Sequence, residues 1–218
     1  MPGPFPPRAR APNSSVRREA DGPIDSMLYR DGVGIVQPKA LILTADKFED
    51  IELFFIVFRL LEDGWQVDVA APHKRNIAGE NGYGLMPRKD FDEVAPDEYG
   101  LLVVPGGAPD GAPAVVRGSE RARDIVRAFF DAGKPVASIC HGPGVLVSAG
   151  LARGRRLTSF WKDGLPQEIR DAGGHWEDKD VVVDGNLVTA RCPTDLPVFM
   201  REVMRLARST GHCTSITR

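Results

Sequence analysis

Short apolar runs alternate with longer amphipathic segments along most of this chain, and that rhythm limits the folds open to it. KALILT (39–44), QVDVAAP (66–72), YGLLVVPGG (99–107) and PVASIC (135–140) have the length and composition of buried strands. Between them, EDIELFFIVFRLLEDG (49–64) and SERARDIVRAFFDAG (119–133) have helical length and end at glycine, and Ser119 is an N-cap candidate. Shorter helices are predicted over 142–152 and 164–173, a strand over 155–160, and a closing amphipathic helix over 193–208. DVVVDGNLVTAR (180–191) predicts a hairpin turning at Asp184-Gly185, and GENGYGLMPRKDFDEV (79–94) a small antiparallel excursion. Strands alternating with helices imply βαβ crossovers, hence an α/β sandwich whose mostly parallel sheet carries helices on both faces. The Pro-, Arg- and Ser-rich residues 1–37 predict a disordered or loosely docked arm, 38–208 the folded domain, and 209–218 a flexible tail.

Composition narrows the partners. The chain has 218 residues, 42% hydrophobic and 27% charged, with a formal net charge of -2. That suits one globular domain, and the near balance of charge gives no electrostatic reason to expect nucleic acid or a membrane surface. No apolar run is long enough to span a bilayer, and the N-terminus lacks the apolar core of a secretory signal. Cys140, Cys192 and Cys213 lack the spacing of a disulfide framework, which predicts a reducing, cytoplasmic setting. With neither CxxC nor HExxH present, no metal site is expected.

Chemistry concentrates where strands end. In sheets of this kind ligands bind outside the carboxyl ends of the strands. There the chain places Thr44 leading toward Glu49, then Pro105-Gly106-Gly107, then Cys140-His141. VASICHGPG (136–144) runs from strand into glycine at once, the pattern of a nucleophile elbow. A helix starting near Gly142 would turn its unpaired amides and positive end toward the sulfur and favour thiolate. A small buried thiol at a strand end is the competing reading for Cys140. His141 has an ordinary packing role as its alternative, and Glu49 an ordinary helix start. The amides of Gly106 and Gly107 make either a tight turn or an oxyanion pocket.

LTADKFEDIEL, LLVVPGG, GKPVASICHGPGVLVSAGLARGRRLTS and VVVDGNLVTARCPTDLPVF together resemble the ThiJ/PfpI family in its PfpI-type branch, from about Lys39 to Ala207. The resemblance implies a flavodoxin-like three-layer sandwich, Cys140 as the elbow nucleophile, and Glu49 as a buried, protonated glutamate hydrogen-bonded to it. It implies a role for His141 beside the nucleophile and the Gly107 and His141 amides as oxyanion donors, with the Gly106 and Gly142 amides as further candidates. Members of the branch often supply an acid to this histidine across a subunit interface. Here Ala114 falls at the aligned place and Asp110 is the candidate replacement, while Phe160 stands where relatives can have tyrosine. HWE (175–177) is an H-x-E, but it lies close after Cys140 and is expected to be surface structure.

The residues and the resemblance together imply a cysteine-dependent stress-response enzyme, cofactor-free, acting on methylglyoxal-like dicarbonyls or their glycation adducts, as a glyoxalase or deglycase. An intracellular cysteine peptidase is the alternative enzyme, and a redox sensor or holdase the alternative of another class. The expected partners are a small carbonyl or glycated substrate and further copies of the chain, as a homodimer or larger homo-oligomer.

Overall fold

The computed structural model describes residues 37–209. The expected N-terminal arm and C-terminal tail, with Cys213, lie outside these residues apart from their innermost positions. The strands are β1 (Lys39–Leu43), β2 (Gln66–Ala71), β3 (Ile77–Ala78), β4 (Gly84–Leu85), β5 (Lys89–Asp90) and β6 (Leu101–Val104). They continue as β7 (Val136–Ile139), β8 (Arg156–Leu157), β9 (His175–Trp176), β10 (Val181–Asp184) and β11 (Leu187–Ala190). The helices are α1 (Asp50–Glu62), α2 (Ala112–Gly118), α3 (Glu120–Asp131), α4 (Gly144–Ser148), α5 (Leu165–Asp171) and α6 (Leu196–Ser209).

The central sheet runs β10-β11-β7-β6-β1-β2-β5, parallel throughout except for β10, which pairs antiparallel with β11. This is the flavodoxin-like order, with the direction of winding reversing between β1 and β6. Alternation along the strands divides the core in two. Ala40 and Ile42 of β1, with Leu101 and Val103 of β6, face α1 and α6. Leu41, Leu43, Leu102 and Val104 face α3, α4 and α5 on the other side. Ser119 caps α3 as expected, accepting the Ala122 amide. The 180–191 hairpin turns at Gly185, whose φ is 60°.

Three local features depart from the sequence reading. The excursion is antiparallel only in β3–β4, and β5 instead extends the main sheet in parallel with β2. The stretch after Gly107, which lacks strong periodicity, contains α2, with Pro113 in its first turn where a missing N–H costs nothing. The strand expected over 155–160 shortens to β8, which pairs with β9. Within α1, Ile56 and Val57 are buried, Phe54 and Phe55 half-buried, and Phe58 exposed. Among the described residues no helix is long and apolar enough to cross a membrane.

Phe199 is fully buried where α6 packs against the sheet. Phe199→Ala is expected to cost about 3–5 kcal/mol of unfolding free energy, seen as a lower urea midpoint with an unchanged slope.

Candidate active site

Because β1, β6 and β7 are neighbours, the segments leaving their carboxyl ends meet at one place. Cys140 leaves β7 in the left-handed region, with φ 61°, a conformation that strains any residue bearing a Cβ. Two backbone hydrogen bonds hold it there. The Cys140 amide donates to the Ala190 carbonyl at 3.1 Å, and the Phe160 amide donates to the Cys140 carbonyl at 2.9 Å. The glycine that follows is a steric requirement. A Cβ on Gly142 would lie 2.3 Å from the Val104 carbonyl oxygen. Cys140 thus occupies an elbow, although 6% of its surface remains exposed.

The carboxyl group nearest the sulfur belongs to Glu52, which corrects the assignment of Glu49. Glu52 is fully buried, and its Oε2 accepts the Gly106 amide at 2.7 Å. Its carboxyl and the Cys140 side chain meet over the Gly106 Cα. A Cβ there would stand 2.9 Å from Glu52 Oε2 and 3.0 Å from Cys140 Sγ. Glu49 instead precedes α1 as its N-cap, and its carboxylate turns back to accept the Glu52 amide at 2.6 Å. The reason is backbone geometry. Glu49 has extended φ and ψ, whereas Glu52 is in the helix and in phase with the buried Ile56 and Leu60.

Burial pushes the Glu52 carboxyl up to about 8, with the Gly106 amide opposing the shift. Burial also pushes the Cys140 thiol up, a negative charge on Glu52 adds to this, and the His141 amide, donating to the sulfur, pulls it back. Glu49 is raised as well, again first by burial.

His141 lies beside the sulfur. Its Nδ1 is 3.4 Å from Cys140 Sγ, and its Nε2 is 2.7 Å from Asp163 Oδ2. Phe160 packs on the imidazole with ring centroids 4.7 Å apart, so the residue lacking a hydroxyl braces the histidine. Asp110, the expected cross-subunit acid, does not reach the His141 of its own chain. It is exposed and pairs with Lys47 at 2.8 Å. Asp163 was not singled out by sequence, because Asp-Gly-Leu-Pro before α5 has the form of a helix start. Its Oδ1 does accept the Leu165 amide there, at 3.0 Å.

Two of the four expected oxyanion donors are occupied within the fold, and a third, the His141 amide, faces the Cys140 sulfur. The Gly106 amide serves Glu52, and the Gly142 amide donates to the Ile139 carbonyl at 2.9 Å. Gly107 has φ 150° and packs so closely that a Cβ would lie 2.3 Å from the Lys47 carbonyl oxygen. A cavity of about 220 Å³ opens beside His141 and Asp163, walled by Pro109, Pro113, Arg117 and Glu168. On the other side of Glu52, Asp50 latches the 79–83 loop. It accepts the Asn81 amide at 2.8 Å and the Tyr83 amide at 3.1 Å. Gly79 fits over it only because it has no Cβ, which would come within 2.3 Å of Asp50 Oδ1.

The remaining candidates lie elsewhere. His175 is exposed on β9, and Glu177 pairs with Arg156 and Lys179. Cys192 is buried with Sγ 3.0 Å from Thr194 Oγ1. Among the described residues no three His, Cys, Asp or Glu side chains are grouped as metal ligands.

Comparison with known proteins adds to this geometry. A family model described as the DJ-1/PfpI family matches residues 38–206. Deglycase PfpI of Pyrococcus furiosus is 46% identical over 170 residues, covering 78% of this chain and 99% of the relative. Protein/nucleic acid deglycase 2 of Escherichia coli is 37% identical over 171 residues, covering 77% of this chain and 96% of the relative. Among solved structures, a two-domain protein of Anabaena variabilis with DJ-1/ThiJ/PfpI-like and ferritin-like domains superposes with a TM-score of 0.73 at 29% identity. That match covers 84% of this chain and 50% of the other.

The raised Glu52 carboxyl makes stability depend on pH. Between its ordinary 4.5 and about 8 the folded protein binds more protons at this site than the unfolded chain does. The contribution of Glu52 to stability therefore falls as pH rises through that window. Glu52→Gln is expected to flatten this slope, so that urea midpoints measured from pH 5 to 9 gain most at the alkaline end.

Proposed function

Since the chain belongs to the DJ-1/PfpI family, we propose that it is a cysteine-dependent enzyme acting on methylglyoxal-like dicarbonyls or their glycation adducts, without a cofactor. The observation that carries this reading is the buried Glu52 carboxyl, pushed up to about 8, meeting Cys140 over Gly106. At neutral pH that group is mostly protonated. It adds little negative charge against thiolate formation and holds a proton that a new oxyanion needs. Glu52 Oε2 is occupied by the Gly106 amide, whereas Oε1 is buried without a hydrogen-bond partner, which suits it to that donation. The names of the relatives, Deglycase PfpI and Protein/nucleic acid deglycase 2, support the same substrate class.

The chemistry is compact. Cys140 loses its thiol proton to His141 Nδ1, 3.4 Å away, and the sulfur attacks the aldehyde carbon of methylglyoxal. The C–S bond forms, the carbonyl π pair moves to oxygen, and oxygen takes a proton, giving a hemithioacetal. As the resemblance to the family implies, the Gly107 amide serves as oxyanion donor, joined by the His141 amide as negative charge passes from the sulfur to the carbonyl oxygen; the Gly106 and Gly142 amides are used within the fold. Moving the proton on the former aldehyde carbon to the neighbouring carbon, through an enediol, converts the hemithioacetal into a lactoyl thioester. Water then hydrolyses the thioester to lactate and restores the thiol. His141 and Glu52 are the groups placed to carry these protons.

Peptide hydrolysis is the second reading, favoured by one observation: His141 stands between the Cys140 sulfur and the Asp163 carboxylate. Lactate formation from methylglyoxal and release of amine from a glycated amino acid separate this reading from the first. Cys140→Ala is expected to abolish both, and Glu52→Gln to lower kcat by about 10²-fold or more. Glu49→Gln, which keeps an acceptor for the Glu52 amide, should stay within about threefold of the parent. An intact protein that cleaves peptides but turns over neither carbonyl substrate would reject the first reading.

A further inference from the structure

We propose that Asp163 is the positioning acid of the Cys140–His141 pair, and that each chain therefore carries a complete site of its own. The inference rests on the preceding reading only in taking Cys140 as the nucleophile.

Three observations carry it. Asp163 is held at both oxygens: Oδ1 accepts the Leu165 amide at 3.0 Å, which aims Oδ2 at His141 Nε2, 2.7 Å away. The imidazole is held too, packed against Phe160, with only 12% of its side chain exposed. Within the chain Asp110 is exposed and pairs with Lys47, so the carboxylate facing the imidazole is that of Asp163.

The chemical consequence concerns the tautomer. A carboxylate oxygen accepts hydrogen bonds, so His141 Nε2 must be the nitrogen that carries hydrogen. In the neutral ring Nδ1 then presents its lone pair to Cys140 Sγ at 3.4 Å. Transfer of the thiol proton to Nδ1 leaves a thiolate and an imidazolium, and the imidazolium rests against Asp163. No bond other than S–H breaks, and no other reactant is needed. The buried thiol, which its surroundings disfavour as an anion, thereby gains a local base. The acid that orients this base comes from 22 residues further along the same chain, not from across a subunit interface.

Asp163→Asn tests this with little disturbance to the fold, because the amide oxygen can still cap Leu165. Its NH₂ group would face Nε2 as a donor and drive the imidazole proton onto Nδ1, toward the sulfur. Alkylation of Cys140 by iodoacetamide at neutral pH, followed by peptide mass, is expected to slow about 10-fold or more. Two-bond ¹H–¹⁵N spectra of His141 should move from the Nε2–H to the Nδ1–H form, with the thermal midpoint little changed. With substrate, kcat should fall about 10²- to 10⁴-fold and KM change little. Asp110→Asn should alter none of these quantities.

A mixed oligomer tests the second half. When Cys140→Ala and Asp163→Asn chains are co-expressed under different tags and purified through both, activity should not exceed that of Asp163→Asn alone. Recovery of activity in the hybrid would show that the acid serves a neighbouring chain and would overturn the proposal. An unchanged alkylation rate together with an unchanged tautomer in Asp163→Asn would overturn it as well. Alkylation and the spectra need no substrate, so they answer the question even if the carbonyl reading fails.

Discussion

One buried hydrogen bond, from the Gly106 amide to Glu52 Oε2 at 2.7 Å, joins the first turn of α1 to the end of β6. It spans the place where the winding of the sheet reverses, and much of the site depends on it. A carboxyl group with no exposed surface is costly as an anion, so the fold holds it largely neutral. The same bond takes the Gly106 amide away from any substrate oxygen. It also brings Gly106 so close to Cys140 that a Cβ on residue 106 would lie 2.6 Å from the Cys140 Cβ.

Three carboxylic acids near the sulfur show how place decides role. Glu49, with extended backbone, turns back and caps α1. Glu52, three residues on and inside the helix, is sealed from water and raised in pKa. Asp163 sits at the start of α5 and meets the histidine rather than the sulfur. A helix cap, a buried acid with a raised pKa and a carboxylate partner for a histidine are thus built from similar groups by differences in burial and direction.

Much of this was legible in the residues. The alternation of apolar runs and amphipathic segments led to the parallel sheet and its two helical layers, and strand-end logic led to the meeting of Cys140, Gly106 and the segment after Thr44. Cys140 followed by His141 and Gly142 indicated the elbow, and the φ of 61° at Cys140 is its physical counterpart. What could not be read was the choice between Glu49 and Glu52. Both fall in phase with the buried stripe of α1, through Leu53, Ile56 and Leu60, and only the exact start of the helix separates a cap from a buried side chain. Asp163 was hidden for a different reason. Its partner lies 22 residues away, and its local pattern is fully explained by the helix it introduces. Helix α2 was missed because a Gly-, Pro- and Ala-rich segment has little periodicity to detect.

The latch at Asp50 has a mechanical consequence. By accepting the Asn81 and Tyr83 amides under Gly79, Asp50 fastens the rim loop to the first turn of the helix that also carries Glu52. Rim and acid therefore move as one piece, a door frame rather than a door. A shift of the loop would have to break both hydrogen bonds or carry the first turn of α1, and Glu52 with it.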